Sequence, residues 1–293
     1  MESKEEILEI VQMALREDIG SGDVTTECTV QPGTKLRGEM FAKERGVVAG
    51  VHVAGMAFEV MDPEVRFTPR VRDGDFVGEG AIISEIFGEA RSILSAERVA
   101  LNLLQRMSGI ASLTRRFVDA VKLTKAVIID TRKTVPGLRI LDKMAVRMGG
   151  GQNHRFGLFD MALIKENHIT VAGGITRAVR LVRERDPLKR PVEVEVRTLE
   201  ELKEALGLRV DRIMLDNMSI EEMREAVRMT GGRVPLEASG TVSMENVAEI
   251  AETGVDFISV GKLTHSVKAL DISLILKSDG QEREGPSDPG IIS

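Results

Sequence analysis

The stretch "GGGQNHRFG", residues 149 to 157, places His154 and Arg155 directly after three glycines. Upstream lie Arg132, Lys133, Arg139, Lys143 and Arg147, so the segment Thr131 to Arg155 carries a local net charge of +5 within a chain whose overall formal charge is −6. Cations gathered around bare backbone suit an anionic small molecule, because arginine offers a two-pronged donor to carboxylate or phosphate. A solvated helix face accounts for Arg139, Lys143 and Arg147. It does not account for Arg132, Lys133, His154 and Arg155, which fall in turns. Gly149 alone could cap a helix. Three glycines together point further, to a close approach of backbone to a ligand or to another strand.

In "DTRKTVPGLR", Pro136 suits the first turn of a helix, where its missing N–H is not needed. Thr131, Arg132 and Lys133 would then precede a helix N-terminus, whose amides and dipole favour an anion. Carboxylates stand elsewhere, at Glu195 and Asp216, and could hold sugar hydroxyls or a hydrated divalent cation. "EASG" and "SVGK" add glycine backbone and a serine hydroxyl, with amides suited to phosphate. The inventory fits a phosphorylated sugar and an acidic co-substrate. No nucleophile has an adjacent base, so covalent catalysis is not indicated.

These residues are positioned by a regular alternation. Apolar β-like runs lie at 125–130, 161–166, 191–196, 211–216, 234–239 and 256–261, each ending on polar or special residues. Helical patterns separate them: Thr198 with Glu201 and Ser219 with Glu222 have capping-box spacing, and Ser243 is a further N-cap candidate. Alternating β and α predicts parallel strands, and an α/β barrel would gather the strand ends on its catalytic rim. Only six such strands are visible, short of a complete eight. In "VEVEV" the valines and glutamates face opposite ways. Glu193 and Glu195 then point into the barrel or onto the wet face of an edge strand.

The first third reads as short antiparallel strands with a turn at Asp73-Gly74-Asp75, followed by a helix over 92–122 that is expected to break near Gly109. The pattern gives a first domain over 1–112, a barrel domain over 113–277 and a polar, disordered tail over 278–293. No apolar run is long enough to span a bilayer, the N-terminal stretch has no export-signal pattern, and one cysteine, Cys28, excludes an internal disulfide. A cytoplasmic protein is expected. The acidic balance, with no Trp or Tyr, speaks against nucleic acid and membrane partners.

"TRKTVPGLRILDKMAVRMGGGQNHRFGLFDMALIKENH" closely resembles the quinolinate phosphoribosyltransferase family, as do "EDIGSGDVTT", "AERVALNLLQRMSGIAS", "VEVEV", "IMLDN", "EASG" and "VGKLTHSVKALDISL". The resemblance implies an N-terminal α/β sandwich, an incomplete α/β barrel, and a homodimer or hexamer with shared sites. It implies a Mg2+-dependent reaction of quinolinate with phosphoribosyl pyrophosphate that gives nicotinate mononucleotide, pyrophosphate and CO2. By matching motif, Arg132, His154, Arg155 and Lys165 resemble the quinolinate-binding set, with Thr131 and Lys133 close by. Arg98 resembles an arginine inserted into the neighbouring subunit's site. Glu195 and Asp216 resemble the carboxylates for ribose and Mg2+, directly or through water. Ser239, Gly240, Gly261 and His265 resemble the phosphate group, with Thr241, Val260 and Lys262 adjoining; Thr241 stands where many relatives have a second glycine. Two rivals remain: a related protein linked to molybdenum transport, which tends to lose the Pro-Gly pair and the lysine of "IKENH", and a non-catalytic anion sensor, to which Glu195 and Asp216 would bring little.

Overall fold

The computed structural model describes residues 4–278; the tail expected to be disordered lies outside them, apart from Ser278. The described residues divide into two compact units, 4–105 with 270–278, and 106–269.

The first unit contains α1 (Lys4–Ile19), α2 (Val24–Thr29), β1 (Lys35–Ala42), β2 (Gly46–Val47), α3 (Val51–Met61), β3 (Arg66–Pro69), β4 (Phe76–Val77) and β5 (Ile82–Glu89), and then the start of α4 (Ala90–Val121). The antiparallel strands expected here form a sheet in the order β12-β1-β5-β3, where β12 is Ile272–Ser278. That last strand corrects the boundary read from sequence, which left 270–277 with the barrel. β12 pairs with β1 along its whole length, Leu36 opposite Ser278 and Ala42 opposite Ile272. The turn at Asp73-Gly74-Asp75 is present, with Gly74 at φ 94°. The Asp73 carboxylate accepts the Gly50 and Val51 amides at 2.7 and 2.9 Å, which caps α3, and meets His52 Nδ1 at 2.8 Å.

The second unit alternates β6 (Val127–Ile129), α5 (Arg139–Met148), β7 (Ala162–Ile164), α6 (Glu166–Ala172), α7 (Ile175–Arg185), β8 (Val192–Val196), α8 (Leu199–Leu206), β9 (Arg212–Asp216), α9 (Ile220–Thr230), β10 (Leu236–Ser239), α10 (Val247–Glu252), β11 (Phe257–Ser259) and α11 (Lys262–His265). All six expected strands are present, parallel, in the order β6-β11-β10-β9-β8-β7. Six strands make the incomplete barrel that the pattern implied. β8 lies between β7 and β9 and is buried at all five positions, so the wet-edge alternative for "VEVEV" is excluded.

Local chemistry explains most of the boundaries. Ser219 and Glu222 form a complete capping box on α9, and Thr198 accepts the Glu201 amide at the start of α8. Ser243 does not cap α10. Asn246 occupies the N-cap position without a side-chain bond to the helix amides, and its carboxamide oxygen accepts the Ser243 amide instead. The helix expected to break near Gly109 is continuous over 32 residues; Gly109 serves instead as clearance, since a Cβ there would strike the Lys268 carbonyl.

Candidate active site

A cleft of about 610 Å3 opens at the carboxyl ends of the parallel strands. After β6 it is lined by Thr131, Arg132 and Lys133; the loop before β7 supplies His154 and Arg155, and the end of β7 supplies Lys165. β9 contributes Asp216 and Asn217, β10 contributes Glu237, Ser239, Gly240 and Thr241, and β11 is followed by Gly261. A barrel rim of this kind is where catalytic groups converge.

Several sequence expectations are corrected. No helix begins at Pro136, because Pro136 and Gly137 form a turn closed by the Leu138 amide on the Val135 carbonyl at 3.0 Å, with Gly137 at φ 82°. That is proline and glycine acting as turn residues, so α5 starts only at Arg139. Thr131 to Lys133 are thus held otherwise: the Thr131 hydroxyl accepts the Lys133 amide at 3.0 Å, and the Lys133 carbonyl accepts the Thr264 hydroxyl at 2.8 Å.

Lys143 is not on a solvated face. It is 1% exposed and donates to Asp130 and, at 3.1 Å, to the His154 carbonyl. Asp130 also accepts from Asn153 Nδ2 at 2.6 Å and from the His154 amide at 2.9 Å. Burial raises the Asp130 carboxyl and lowers the Lys143 ammonium, each against the pull of the other. One buried ion pair therefore fixes the loop that carries His154 and Arg155.

The glycines bring backbone close to helix α4 and, at Gly151, to strand β6 as well, where a Cβ would lie 3.2 Å from the Ile128 carbonyl oxygen. Gly149 caps α5, and a Cβ there would lie 2.5 Å from the Ala111 carbonyl oxygen and 2.6 Å from Thr114 of α4. Gly150 takes φ 94°, and Gly151 would also strike Thr114. After Arg155 the chain turns back, the Asp160 carboxylate accepting the Phe156 and Gly157 amides at 2.6 and 2.9 Å.

Not every expected residue lines the cleft. Glu195 is buried and its Oε2 lies 3.3 Å from Lys165 Nζ, beside a smaller cleft of about 200 Å3 with Glu166 and Arg197. Asp216 Oδ2 lies 3.5 Å from Arg197 Nε, and Nη1 of the same arginine lies 2.6 Å from Glu166 Oε1. The Val260 amide is spent on the Ile129 carbonyl at 2.9 Å, so it cannot receive a phosphate. Lys262 and His265 are exposed on α11, where His265 Nδ1 meets the Ser266 hydroxyl at 2.7 Å. Arg98 is exposed on α4 within the first unit. Gly240, at φ 129°, has no room for a side chain against Asn217, itself in the left-handed region at φ 55°. Glycine is therefore required at 240, whatever follows it.

Of the floor of the cleft, sequence reading offered only Glu193, as one of two orientations, and missed its partners. Glu193, Glu237 and Arg212 point into the barrel beneath His154: His154 Nε2 lies 3.0 Å from Glu193 Oε2 and 3.3 Å from Glu237 Oε2, and Arg212 Nη1 lies 3.1 Å from the same Glu237 oxygen. Both glutamates are fully buried. Burial lowers the His154 imidazole, but Glu193 and then Glu237 outweigh it and carry it up to about 9. Burial pushes the Glu193 carboxyl up to about 7 against the pull of His154. Burial also opposes ionisation of Glu237, yet His154, Ser259 and Arg212 hold it below the usual carboxylate range. The Arg155 amide donates to His154 Nδ1 at 2.7 Å and resists a second ring proton there, so the cluster takes up protons as a unit. Alternation in "VEVEV" was the one available signal for Glu193.

Among the described residues, His154, Glu193 and Glu237 are the group with metal-ligating spacing. An imidazole that accepts at Nδ1 carries its proton on Nε2 and presents no lone pair between the carboxylates. With Arg212 already on Glu237, the cluster is an ion-pair network rather than a metal site. Glu195 and Asp216, at the carboxyl ends of neighbouring strands, carry hard carboxylate oxygens of the kind a divalent cation takes, each beside a cationic side chain, Lys165 and Arg197.

Fold and cleft together define an α/β-barrel protein with a rim site for anionic substrates. Comparison with known proteins makes the class specific: residues 110–275 match the quinolinate phosphoribosyl transferase C-terminal domain and residues 23–108 its N-terminal domain, and the chain belongs to that family. It is 48% identical over 289 residues to a chloroplastic nicotinate-nucleotide pyrophosphorylase (carboxylating) of Arabidopsis thaliana, covering 92% of this chain and 82% of that one. It is 43% identical to a probable nicotinate-nucleotide pyrophosphorylase of Bacillus subtilis, covering 88% and 89%. A solved structure of NadC from Streptococcus pyogenes superposes with a TM-score of 0.91 at 41% identity, covering 94% of this chain and 98% of that one.

Proposed function

We propose that the protein is a quinolinate phosphoribosyltransferase, a pentosyltransferase that converts quinolinate and phosphoribosyl pyrophosphate to nicotinate mononucleotide, pyrophosphate and CO2 in NAD biosynthesis. The observation that carries the reading is one cleft holding Arg132, Lys133, Arg155 and Lys165 together with Asp216. Two polyanionic substrates need those cations in an acidic protein, and a ribose needs a carboxylate.

Arg132, Arg155 and Lys165 bind the quinolinate carboxylates, with Thr131 and Lys133 adjoining, and His154 belongs to the same wall. Ser239, Gly240, Thr241 and Gly261 serve the phosphates from the ends of β10 and β11, and Lys262 and His265 flank them. The ring nitrogen of quinolinate attacks the anomeric carbon as pyrophosphate leaves, and Asp216 and Glu195 stabilise the positive charge that develops on the sugar. CO2 then departs from the ring carbon beside the nitrogen, whose positive charge takes the electron pair before a proton replaces it. The protein's share is orientation and charge neutralisation. Mg2+, held by Glu195 and Asp216 directly or through water, would neutralise charge on the pyrophosphate.

The active assembly is a homodimer or a hexamer of dimers in which Arg98 enters the neighbouring site; its exposure on α4 and its absence from the cleft support this. We place the reaction in the cytoplasm, which suits an exposed single cysteine; no helix among the described residues is long and apolar enough to cross a membrane. Purified protein given quinolinate, phosphoribosyl pyrophosphate and Mg2+ is expected to release CO2 and form nicotinate mononucleotide. No product from quinolinate, or product from nicotinate alone, would overturn the assignment. Mixing Arg98→Ala with Lys165→Ala subunits is expected to restore activity, and failure despite proven mixing would refute the shared site.

A further inference from the structure

The floor of the cleft contains three charged residues to which the proposed reaction gives no task. Arg212 enters at the first residue of β9, stacked over the Phe257 ring at 4.1 Å, and reaches Glu237 on the adjacent β10. Glu193 lies beside Arg212 in the β8–β9 register. From this base the two glutamates meet His154 Nε2, while Nδ1 accepts the Arg155 amide. Nδ1 is taken by the Arg155 amide, and Nε2, which makes no aligned hydrogen bond, has the two carboxylates at ion-pair distance. A buried charge of this kind is costly unless it meets other charges, and its partners here lead directly to an arginine of the cleft.

The direction of the chain of contacts matters. Two carboxylates at Nε2 hold the ring proton there, and that leaves Nδ1 as an acceptor. An acceptor at Nδ1 in turn fixes the peptide plane at Arg155, from which the guanidinium extends into the cleft. On its outer side the same guanidinium donates to the Met161 carbonyl at 3.1 Å. The base of the barrel thus determines where Arg155 stands.

We propose that Glu193, Glu237 and Arg212 are positioning residues: they fix the tautomer and orientation of His154 and so aim Arg155 at the dicarboxylate substrate, acting on its recognition and not on that of the phosphoribosyl donor. This rests on the functional reading above. Outer groups that orient metal-binding histidines change affinity or activity by about 10- to 100-fold when removed, and an effect at the low end of that scale is expected for an arginine held one residue away. Both glutamates lie within ion-pair distance of the same ring nitrogen, so each can hold the proton there without the other. Glu237→Gln alone leaves Glu193 in place and is expected to raise the quinolinate KM no more than about threefold. Glu193→Gln with Glu237→Gln is expected to raise it at least about tenfold, while kcat and the KM for phosphoribosyl pyrophosphate stay within about twofold.

The ring itself supplies the second readout. With four histidines in the chain, the His154 nitrogens can be assigned in a 15N spectrum by comparison with His154→Gln. Recorded above the raised value of about 9, where the ring is neutral, the wild type should show a protonated Nε2 and a bare Nδ1, and the double variant a loss of that preference. The proposal is overturned if the wild-type ring carries its neutral proton on Nδ1. It is also overturned if the double variant loses the tautomer preference yet keeps its quinolinate KM, or if its kcat falls with both KM values unchanged, as a merely structural defect would give. Should Glu193→Gln prevent folding, Arg212→Met takes its place, with the same split of KM values expected. If wild-type protein does not turn over quinolinate, the functional reading fails, and the 15N signature still decides whether the carboxylates set the tautomer.

Discussion

Replacing Lys143 by methionine removes a buried cation at nearly constant volume and leaves Asp130 facing only the neutral donors Asn153 and the His154 amide. Breaking a buried pair from one side generally costs about 3–5 kcal/mol. The cost has a ceiling, because Asp130 can take up a proton. Neutralising a carboxyl whose unfolded pKa is near 3.9 costs about 1.36 kcal/mol per pH unit above that value, hence roughly 4 kcal/mol at pH 7 and about 1.5 kcal/mol at pH 5. The lost bond from Lys143 to the His154 carbonyl adds about 1 kcal/mol at either pH. The expected outcome is a variant about 3–5 kcal/mol less stable at pH 7 that recovers roughly 2–3 kcal/mol of that deficit at pH 5. Urea unfolding followed by far-ultraviolet circular dichroism measures it; the chain has no Trp or Tyr for intrinsic fluorescence. Asp130→Asn added to Lys143→Met should regain stability at pH 7, since the uncompensated charge is gone. A deficit under about 1 kcal/mol at pH 7, or one unchanged between the two pH values, would refute the reasoning.

Gly149→Ala should destabilise by about 1–3 kcal/mol, because the new methyl meets the Ala111 carbonyl at 2.5 Å and backbone cannot move aside cheaply; a chemical melt reads it. Asp73→Ala should cost about 1–2 kcal/mol through the lost α3 cap. It should also abolish a pH dependence from His52, whose pKa Asp73 raises against desolvation. That contribution is present below pH ~6.5 and fades as the pH climbs through the folded value; with His52 46% exposed it amounts to a few tenths of a kcal/mol. Lys165→Ala should cut kcat/KM for quinolinate by at least about tenfold, measured by CO2 release, since it removes a cation at the end of β7 and unpairs Glu195.

The six parallel strands were legible because each is a short apolar run that stops on polar residues, and the cleft residues were legible because those stops share a rim. What failed was non-local. Lys143 looked solvated since a helix face shows nothing of the strand end it packs against, and Asp130 lies thirteen positions away on another element. Pro136 carried two local signals, a helix start and a Pro-Gly turn, and Gly137 at positive φ decided for the turn. Glu193 could be placed inside the barrel by alternation, but its partners, His154 and Glu237, come from other segments. The thirty-two-residue α4 absorbed a glycine that sequence reads as a break, because the Lys268 carbonyl fills the space a side chain would need.

The pairing of β12 with β1 bears on how the protein is made. Leu36 and Ser278 are neighbours in the sheet yet about 240 residues apart along the chain. A ribosome adding roughly 5–20 residues per second needs on the order of 12–50 s to travel that distance. The barrel unit, one uninterrupted stretch from Arg106 to Ala269, is fully available before β12 exists. During that interval β1 has β5 on one side and an open edge on the other. Birth order thus leaves β1 waiting through the synthesis of the whole barrel for its last partner strand, and that exposed edge is the point at which a nascent chain is most open to capture by chaperones or by its neighbours.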